Sequence, residues 1–380
     1  LFNEINRHTG GIGTSLELYT DVTKVKEKEF RATFEIKGKA LYPKLDVLFA
    51  MMREILMESK LGDEKRLKEI LSMLKTRLQT SFLSAGHTTA VLRSLSYTSP
   101  IARFRDITSG IGFYEVVKDL EENFEERKEL LIENLKKIAG RIFRKENLML
   151  SYTSAQEGLA VLEKAVPQFA DSLHTGEKES HGQCIIHCKK RNEGFRTSSK
   201  VQYVARTGNF IDGGAEYTGA LQILKVILSY DYLWQNVRVK GGAYGCMSGF
   251  NRIGEGYLVS YRDPNLEKTM EIYEGVVDYL KNFDIDDRDM NKFIIGTISN
   301  LDRPMNPAAK GSRSLNLYMN RITEEMIRRE REQILDAQQE DIRGLATVLE
   351  AVLAAGELCV IGSEEKIEEA KEMFGEIRTL

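Results

Sequence analysis

The sequence is poor in cysteine, in histidine and in long apolar runs. Four cysteines in 380 residues cannot form a disulfide scaffold, and they point to a reducing compartment. No stretch approaches the roughly 18–20 consecutive apolar residues that a membrane span requires. Even the apolar segment 220–228 is interrupted by Gln222 and Lys225. An excess of basic charge is missing too. The 54 Lys and Arg against 57 Asp and Glu leave a net charge of −3, which argues against a nucleic-acid binder that works by bulk charge. No signal or transit peptide is visible, and residue 1 is Leu rather than Met. The expectation is a processed or truncated chain with a cytoplasmic location, any targeting segment lying in the missing N-terminus.

The five histidines are His8, His87, His174, His181 and His187, and no two stand four apart. A helical zinc-hydrolase site built on H-x-x-x-H or H-x-x-E-H is therefore absent from this chain. No G-x-S-x-G nucleophile elbow occurs either. One cluster combines imidazoles with thiols: His181, Cys184, His187 and Cys188. Zinc favours that mixture, but a strand over 184–189 would point Cys184 and Cys188 to one face and His187 to the other. These residues are expected to be ordinary strand and loop positions, and no metal site is assigned.

At 42% hydrophobic and 29% charged residues, the composition is that of a globular protein of two to three domains. Alternating runs at 14–19 and 30–36 predict a hairpin. Helices are expected from Pro43, over 60–83 and over 114–143, the last with Leu120, Phe124, Leu131, Leu135, Ile138 and Ile142 on one stripe. A strand at 148–152 leads into a further helix, and residues 163–182 lack any period. Strands follow at 184–189, 201–206, 242–250, 256–261 and 358–362, with a helix at about 215–236, another opened by Asp263 and Pro264, and a last one capped by Ser363. The segments 148–154 and 358–363, each a strand before a helix, stand 209 residues apart, measured at Ser154 and Ser363. This suggests a duplicated unit. The expected fold class is α+β, two similar units each with a mostly antiparallel sheet packed with helices. The units would occupy 1–165 and 183–380, joined by a linker at 166–182.

The segment Lys240–Gly245 is glycine-rich but lacks the G-K-[ST] ending and the G-x-G-x-x-G spacing of a phosphate cradle. Gly242 reads as a turn into a strand where backbones approach closely. Arg238 and Tyr244, six residues apart, offer a guanidinium fork and a phenol hydroxyl to an oxygen. The tight glycines between them would admit an extended peptide backbone.

The stretch Asn236–Gly245 resembles a signature in the C-terminal half of presequence proteases, members of the pitrilysin/insulinase superfamily of zinc metallopeptidases. Arg7–Ile12 with Ser15–Tyr19, Val201–Val204, Gly256–Pro264 and Asp302–Met305 are similar to other segments of that half. The resemblance implies four related α/β units in two halves that close around an unstructured peptide. It places zinc, bound by H-x-x-E-H and a distal Glu, in the N-terminal half missing here, so this chain would bind none. By the same resemblance 1–165 and 183–380 are the third and fourth units. Arg238 and Tyr244 would hydrogen-bond the substrate backbone and stabilise the tetrahedral oxyanion, with Gly241 and Gly242 lining the peptide. The implied partners are a peptide and the N-terminal half of the same polypeptide, with no nucleic acid and no membrane. An alternative is a non-catalytic scaffold or peptide-binding subunit of the same superfamily.

Overall fold

The computed structural model describes residues 2–176 and 186–380. Its strands, in chain order, are β1 (Ile12–Tyr19), β2 (Arg31–Gly38), β3 (Glu193–Thr197), β4 (Tyr203–Asn209), β5 (Gly245–Phe250), β6 (Glu255–Tyr261), β7 (Glu357–Ser363) and β8 (Glu376–Thr379). They form a two-stranded sheet, β1-β2, and a six-stranded sheet in the order β5-β6-β4-β7-β3-β8. The pairs β1-β2, β5-β6, β6-β4 and β4-β7 are antiparallel, whereas β3 lies parallel to both β7 and β8. The α+β class follows, with a mostly antiparallel but mixed larger sheet.

Period-two alternation sends successive side chains of a strand to opposite faces. On one face Val204, Leu258 and Val360 pack with the helix Ala220–Tyr230 (Leu221, Leu224, Leu228) and the helix Ala346–Ala354 (Leu349, Val352). On the other face Tyr203, Ala205, Val259, Cys359 and Ile361 pack against Phe82, Ala90, Tyr97, Ile111 and Tyr114. Those last five belong to the first third of the chain. The helix Gly86–Leu95 lies across β4 and β7, so the larger sheet is covered on its second face by the N-terminal region. A sheet buried on both faces needs apolar residues at consecutive positions, and β7 supplies them with Leu358, Cys359, Val360 and Ile361, all at most 2% exposed.

One buried ionic cluster crosses this boundary. Arg93, on the helix Gly86–Leu95, donates from Nε and Nη2 to both carboxylate oxygens of Glu193 on β3, at 2.6 and 2.8 Å. Its Nη1 donates to Asp106 at 2.7 Å, where Arg103 adds a second bond at 2.8 Å. The Tyr97 hydroxyl donates to Glu193 at 2.9 Å. Burial pushes the Glu193 carboxyl up, but the hydrogen bonds and charge of Arg93, with Tyr97, outweigh it and hold the group below its usual range.

Four expectations from the sequence are corrected. The segment 148–152 joins no sheet, so the N-terminal region contributes the two strands β1 and β2, and the two halves carry unequal sheets. The helix Glu157–Asp171 runs into the expected linker 166–182. Leu162, Ala165, Val166 and Phe169 pack onto Leu45, Leu48, Phe49 and Met52 of the helix Leu45–Met57. That burial outweighs the donor which Pro167 removes. The expected helix 114–143 is two, Ile111–Glu122 and Phe124–Ile142, broken at Asn123 where Phe124 turns into a cluster with Leu71 and Val117. Residues 186–189 of the expected strand 184–189 are irregular, and the strand begins at Glu193 instead. There Asn192, with φ 51°, donates to the Gly356 carbonyl at 2.9 Å and accepts from the Leu358 N–H at 3.1 Å.

Replacing Arg93 by Met removes the guanidinium that pairs buried Glu193 and leaves Asp106 with Arg103 alone. The expected loss is about 3–5 kcal/mol of unfolding free energy, measured by urea titration; a variant as stable as the parent contradicts the assignment. A second test concerns Glu357, on β7 opposite Thr207 and 1% exposed. Burial pushes its carboxyl up to about 7, against the opposing pull of Thr98, Lys190 and Arg206. The folded state then binds more protons than the unfolded state between roughly pH 4.5 and 7, so stability falls as pH rises through that window. Glu357→Gln should flatten this slope and be the more stable form at pH 8. A parent whose stability does not decline from pH 5 to pH 8 contradicts the shift.

Candidate functional site

The site is built between the helix Ala220–Tyr230 and strand β5. After Leu233 the chain makes a π-helical turn over Trp234–Val239, closed by the Lys240 N–H on the Gln235 carbonyl at 3.0 Å. Wide turns of this kind recur at functional sites. Here the turn sets Trp234 and Arg238 on one face, with the guanidinium carbon 3.8 Å from the centre of the Trp234 ring. That is close stacking for a cation on an aromatic face, and it restricts a side chain that otherwise has many rotamers.

The turn ends in the two glycines. A Cβ on Gly241 would lie 2.4 Å from the Val237 carbonyl oxygen, and Gly242 has φ +81°. Both positions therefore require glycine: the first for close approach, the second for a left-handed backbone. Gly242 N–H donates to the Arg238 carbonyl at 2.9 Å and Ala243 N–H to the Val237 carbonyl at 3.2 Å, so the reversal is short and tied. Asn265 clamps it from outside, its side-chain amide donating to the Gly241 carbonyl at 2.6 Å. Tyr244 then enters β5. Its N–H reaches the carbonyls of Tyr261 and Arg262 at 3.1 and 3.3 Å. Its ring meets Tyr261 edge-on at 5.8 Å, and 68% of the residue remains exposed.

Trp234, Arg238, Val239, Gly242, Ala243, Tyr244 and Arg262 line one open cleft of about 570 Å³. The structure thus brings Arg238 and Tyr244 to a shared surface, with Gly242 in its wall and Gly241 in the turn beneath. Cys246, the next inward-facing residue, is buried; burial pushes its thiol up to about 11, although Arg238 draws it down. It is a packing residue rather than a nucleophile. Sequence reasoning missed Trp234 and Arg262. Trp234 carried a legible signal, since a Trp four residues before an Arg on a helical turn can stack on it.

The His181, Cys184, His187 and Cys188 cluster does not form a described metal site. His181 and Cys184 lie outside the described residues. Cys188 is half-buried, and burial pushes its thiol up against the pull of Arg103 and Lys28. Among the described residues no group of three or more His, Cys, Asp or Glu is placed to hold a metal ion. Among them, too, no helix is long and apolar enough to cross a membrane.

Residues 192–364 match the family model described as the PreP C-terminal domain. Residues 1–120 match the model for the associated region of M16 peptidases of subgroup C. The chain is 37% identical over its whole length to Protein HypA of Clostridium perfringens, spanning 38% of that relative. It is 30% identical over 96% of its length to presequence protease 1, chloroplastic/mitochondrial, of Arabidopsis thaliana, spanning 34% of it. Among solved structures, a protease from Helicobacter pylori superposes with a TM-score of 0.59 at 13% identity, over 95% of this chain and 83% of that one. A peptidase M16 inactive domain from Pseudomonas fluorescens gives 0.55 at 13%, over 92% and 81%. These two share the fold. Together these matches support a resemblance to the C-terminal half of a presequence-protease-like M16 peptidase. The chain spans little more than a third of the sequence relatives it matches.

Trp234 is the chain's one tryptophan, so its fluorescence reports on the Arg238 stack. Arg238→Ala should uncover that ring face to water and move the emission to longer wavelength, with the far-UV circular dichroism unchanged. An identical emission spectrum would contradict the stacked geometry.

Proposed function

We propose that this chain is the substrate-binding half of a zinc-dependent oligopeptidase that degrades unstructured peptides inside a closed chamber. The observation that carries the reading is the shared cleft: a stacked guanidinium and an exposed phenol on either side of a glycine turn, open to solvent. Arg238 and Tyr244 are both hydrogen-bond donors toward a carbonyl oxygen. A donor aimed at the position where oxyanion charge develops lowers the barrier more than it tightens substrate binding. The glycine turn keeps the wall free of side chains, so an extended backbone can lie along it.

Zinc, held by a second half carrying the metal ligands, would polarise the scissile carbonyl and activate the attacking water. On this proposal the present chain contributes no ligand to it. Its own residues hold the peptide backbone, and closure of the two halves brings them to the reacting carbonyl and excludes bulk water. The region through the helix Glu157–Asp171 and the region from β3 onward are then the third and fourth units of the enzyme. The partners are a peptide and the N-terminal half of the same polypeptide.

The test uses the full-length polypeptide. Arg238→Ala and Tyr244→Phe should each lower kcat by roughly 10²–10³ while the bound zinc, measured by atomic absorption, stays the same. The isolated chain should show no peptidase activity until the N-terminal half is added. Full activity in both variants removes the assigned role, and a full-length protein without zinc or activity favours a non-catalytic peptide-binding subunit.

A further inference from the structure

The cleft holds a second cation that the reading above leaves unused. Arg262 follows β6 directly and lines the cleft with Arg238 and Tyr244. Its backbone is left-handed, at φ 49°, a conformation that an L side chain adopts at a cost and that clusters at functional positions. Both neighbours are fixed. The Tyr261 carbonyl accepts from Tyr244 at 3.1 Å. Asp263 is buried, its N–H bonded to the Gln202 carbonyl at 2.9 Å and its carboxylate accepting from the Thr269 hydroxyl at 2.7 Å. Arg262 absorbs the irregularity between these two anchors and is exposed, with its guanidinium also near the Tyr203 hydroxyl. The guanidinium carbon stands 5.4 Å from the centre of the Tyr261 ring.

Arg238 and Arg262 also differ from many other arginines of the chain. Arg93, Arg196, Arg331 and Arg378 each meet a carboxylate. Among the described residues neither Arg238 nor Arg262 has a carboxylate oxygen within ion-pair distance, Asp263 being engaged by Thr269. Arg238 and Arg262 both line one open cleft. A guanidinium fork matches a carboxylate in a two-bond geometry.

We propose that Arg262 is a specificity-determining residue that receives a carboxylate of the bound peptide, supplied by an Asp or Glu side chain or by the peptide's own C-terminus. This inference rests on the peptidase reading of the same cleft. Stacking on Tyr261 limits the swing of the guanidinium, and Tyr261 in turn touches Tyr244. The carboxylate is thereby held at a set displacement from the carbonyl that Arg238 and Tyr244 contact. Peptides that place an acidic group at that displacement are selected over neutral ones of equal length.

The test measures kcat/KM in the zinc-bearing polypeptide that contains this chain. Two peptide sets are used: one exchanges Asp for Asn at each position around the cleaved bond, and the other compares a free C-terminus with its amide. The parent should prefer the carboxylate member of at least one set by about tenfold. Preference only in the first set assigns the side chain, and preference only in the second assigns the terminus. Arg262→Gln should abolish the preference while leaving neutral peptides within about twofold of the parent. Arg262→Gly removes the same guanidinium but accepts the left-handed backbone, so it separates charge loss from misfolding. A parent with no preference in either set overturns the inference. So does an Arg262→Gly variant that keeps the preference, or one that loses activity equally on every peptide. Arg238→Ala and Tyr244→Phe are assayed alongside. If those two retain full activity the peptidase reading itself fails, whereas their loss with unchanged discrimination at position 262 sinks this inference alone.

Discussion

The guanidinium of Arg93 is the contact on which the arrangement of this chain depends. It is 1% exposed, and it bridges Asp106 on the N-terminal side to Glu193 on β3. Removing three charges from water is costly, and only near-complete pairing compensates. Here both Glu193 oxygens are occupied by Arg93, with Tyr97 as a further donor, so the geometry tolerates little displacement. Pinning β3 in this way fixes the strand that lies between β7 and β8. From β7 the ladder runs through β4 and β6 to β5, the strand that Tyr244 opens. The N-terminal helices therefore do more than cover apolar surface: they set the register of the sheet that presents the cleft.

The cleft itself is made from few residues. A π-helical turn presents Arg238 along the face of Trp234. Two glycines then reverse the chain within a few residues, and the first β5 bonds present Tyr244. None of the cleft donors is buried, because the cleft is one open wall. A surface of this shape, with its donors facing outward, is suited to meeting a second body across a bound chain. Cys246 behind it is apolar packing, and the charge in the cleft is cationic without internal compensation.

Much of the fold was legible where local pattern decides structure. Alternation located β1 and β2, and short strand-like runs located β4, β6 and β7, within a few residues, because side-chain direction along a strand is a local property. The glycine turn with its flanking Arg and Tyr was legible for the same reason: close approach and positive φ admit few residues other than glycine. The failures are of a different kind. β3, Glu-Gly-Phe-Arg-Thr, is not assigned from the sequence, and its Glu193 is buried against Arg93, 100 positions away in sequence. Pro167 made 163–171 look like the start of a linker, yet the Phe49–Phe169 contact, at 5.1 Å between ring centres, keeps it helical. The run 148–152 has strand composition but no partner strand, and a strand without a ladder is not formed.

By itself the sequence determined the element types over most of the chain, the absence of a helical zinc motif and the pairing of Arg238 with Tyr244 across a glycine turn. All of these follow from residue chemistry and short spacing. Tertiary structure alone decided that N-terminal helices cover the second face of the larger sheet and that Arg262 opens into the same cleft. Those outcomes rest on contacts between segments distant in sequence, and on a backbone conformation that neighbouring anchors impose. Neither leaves a periodic trace in the order of the residues.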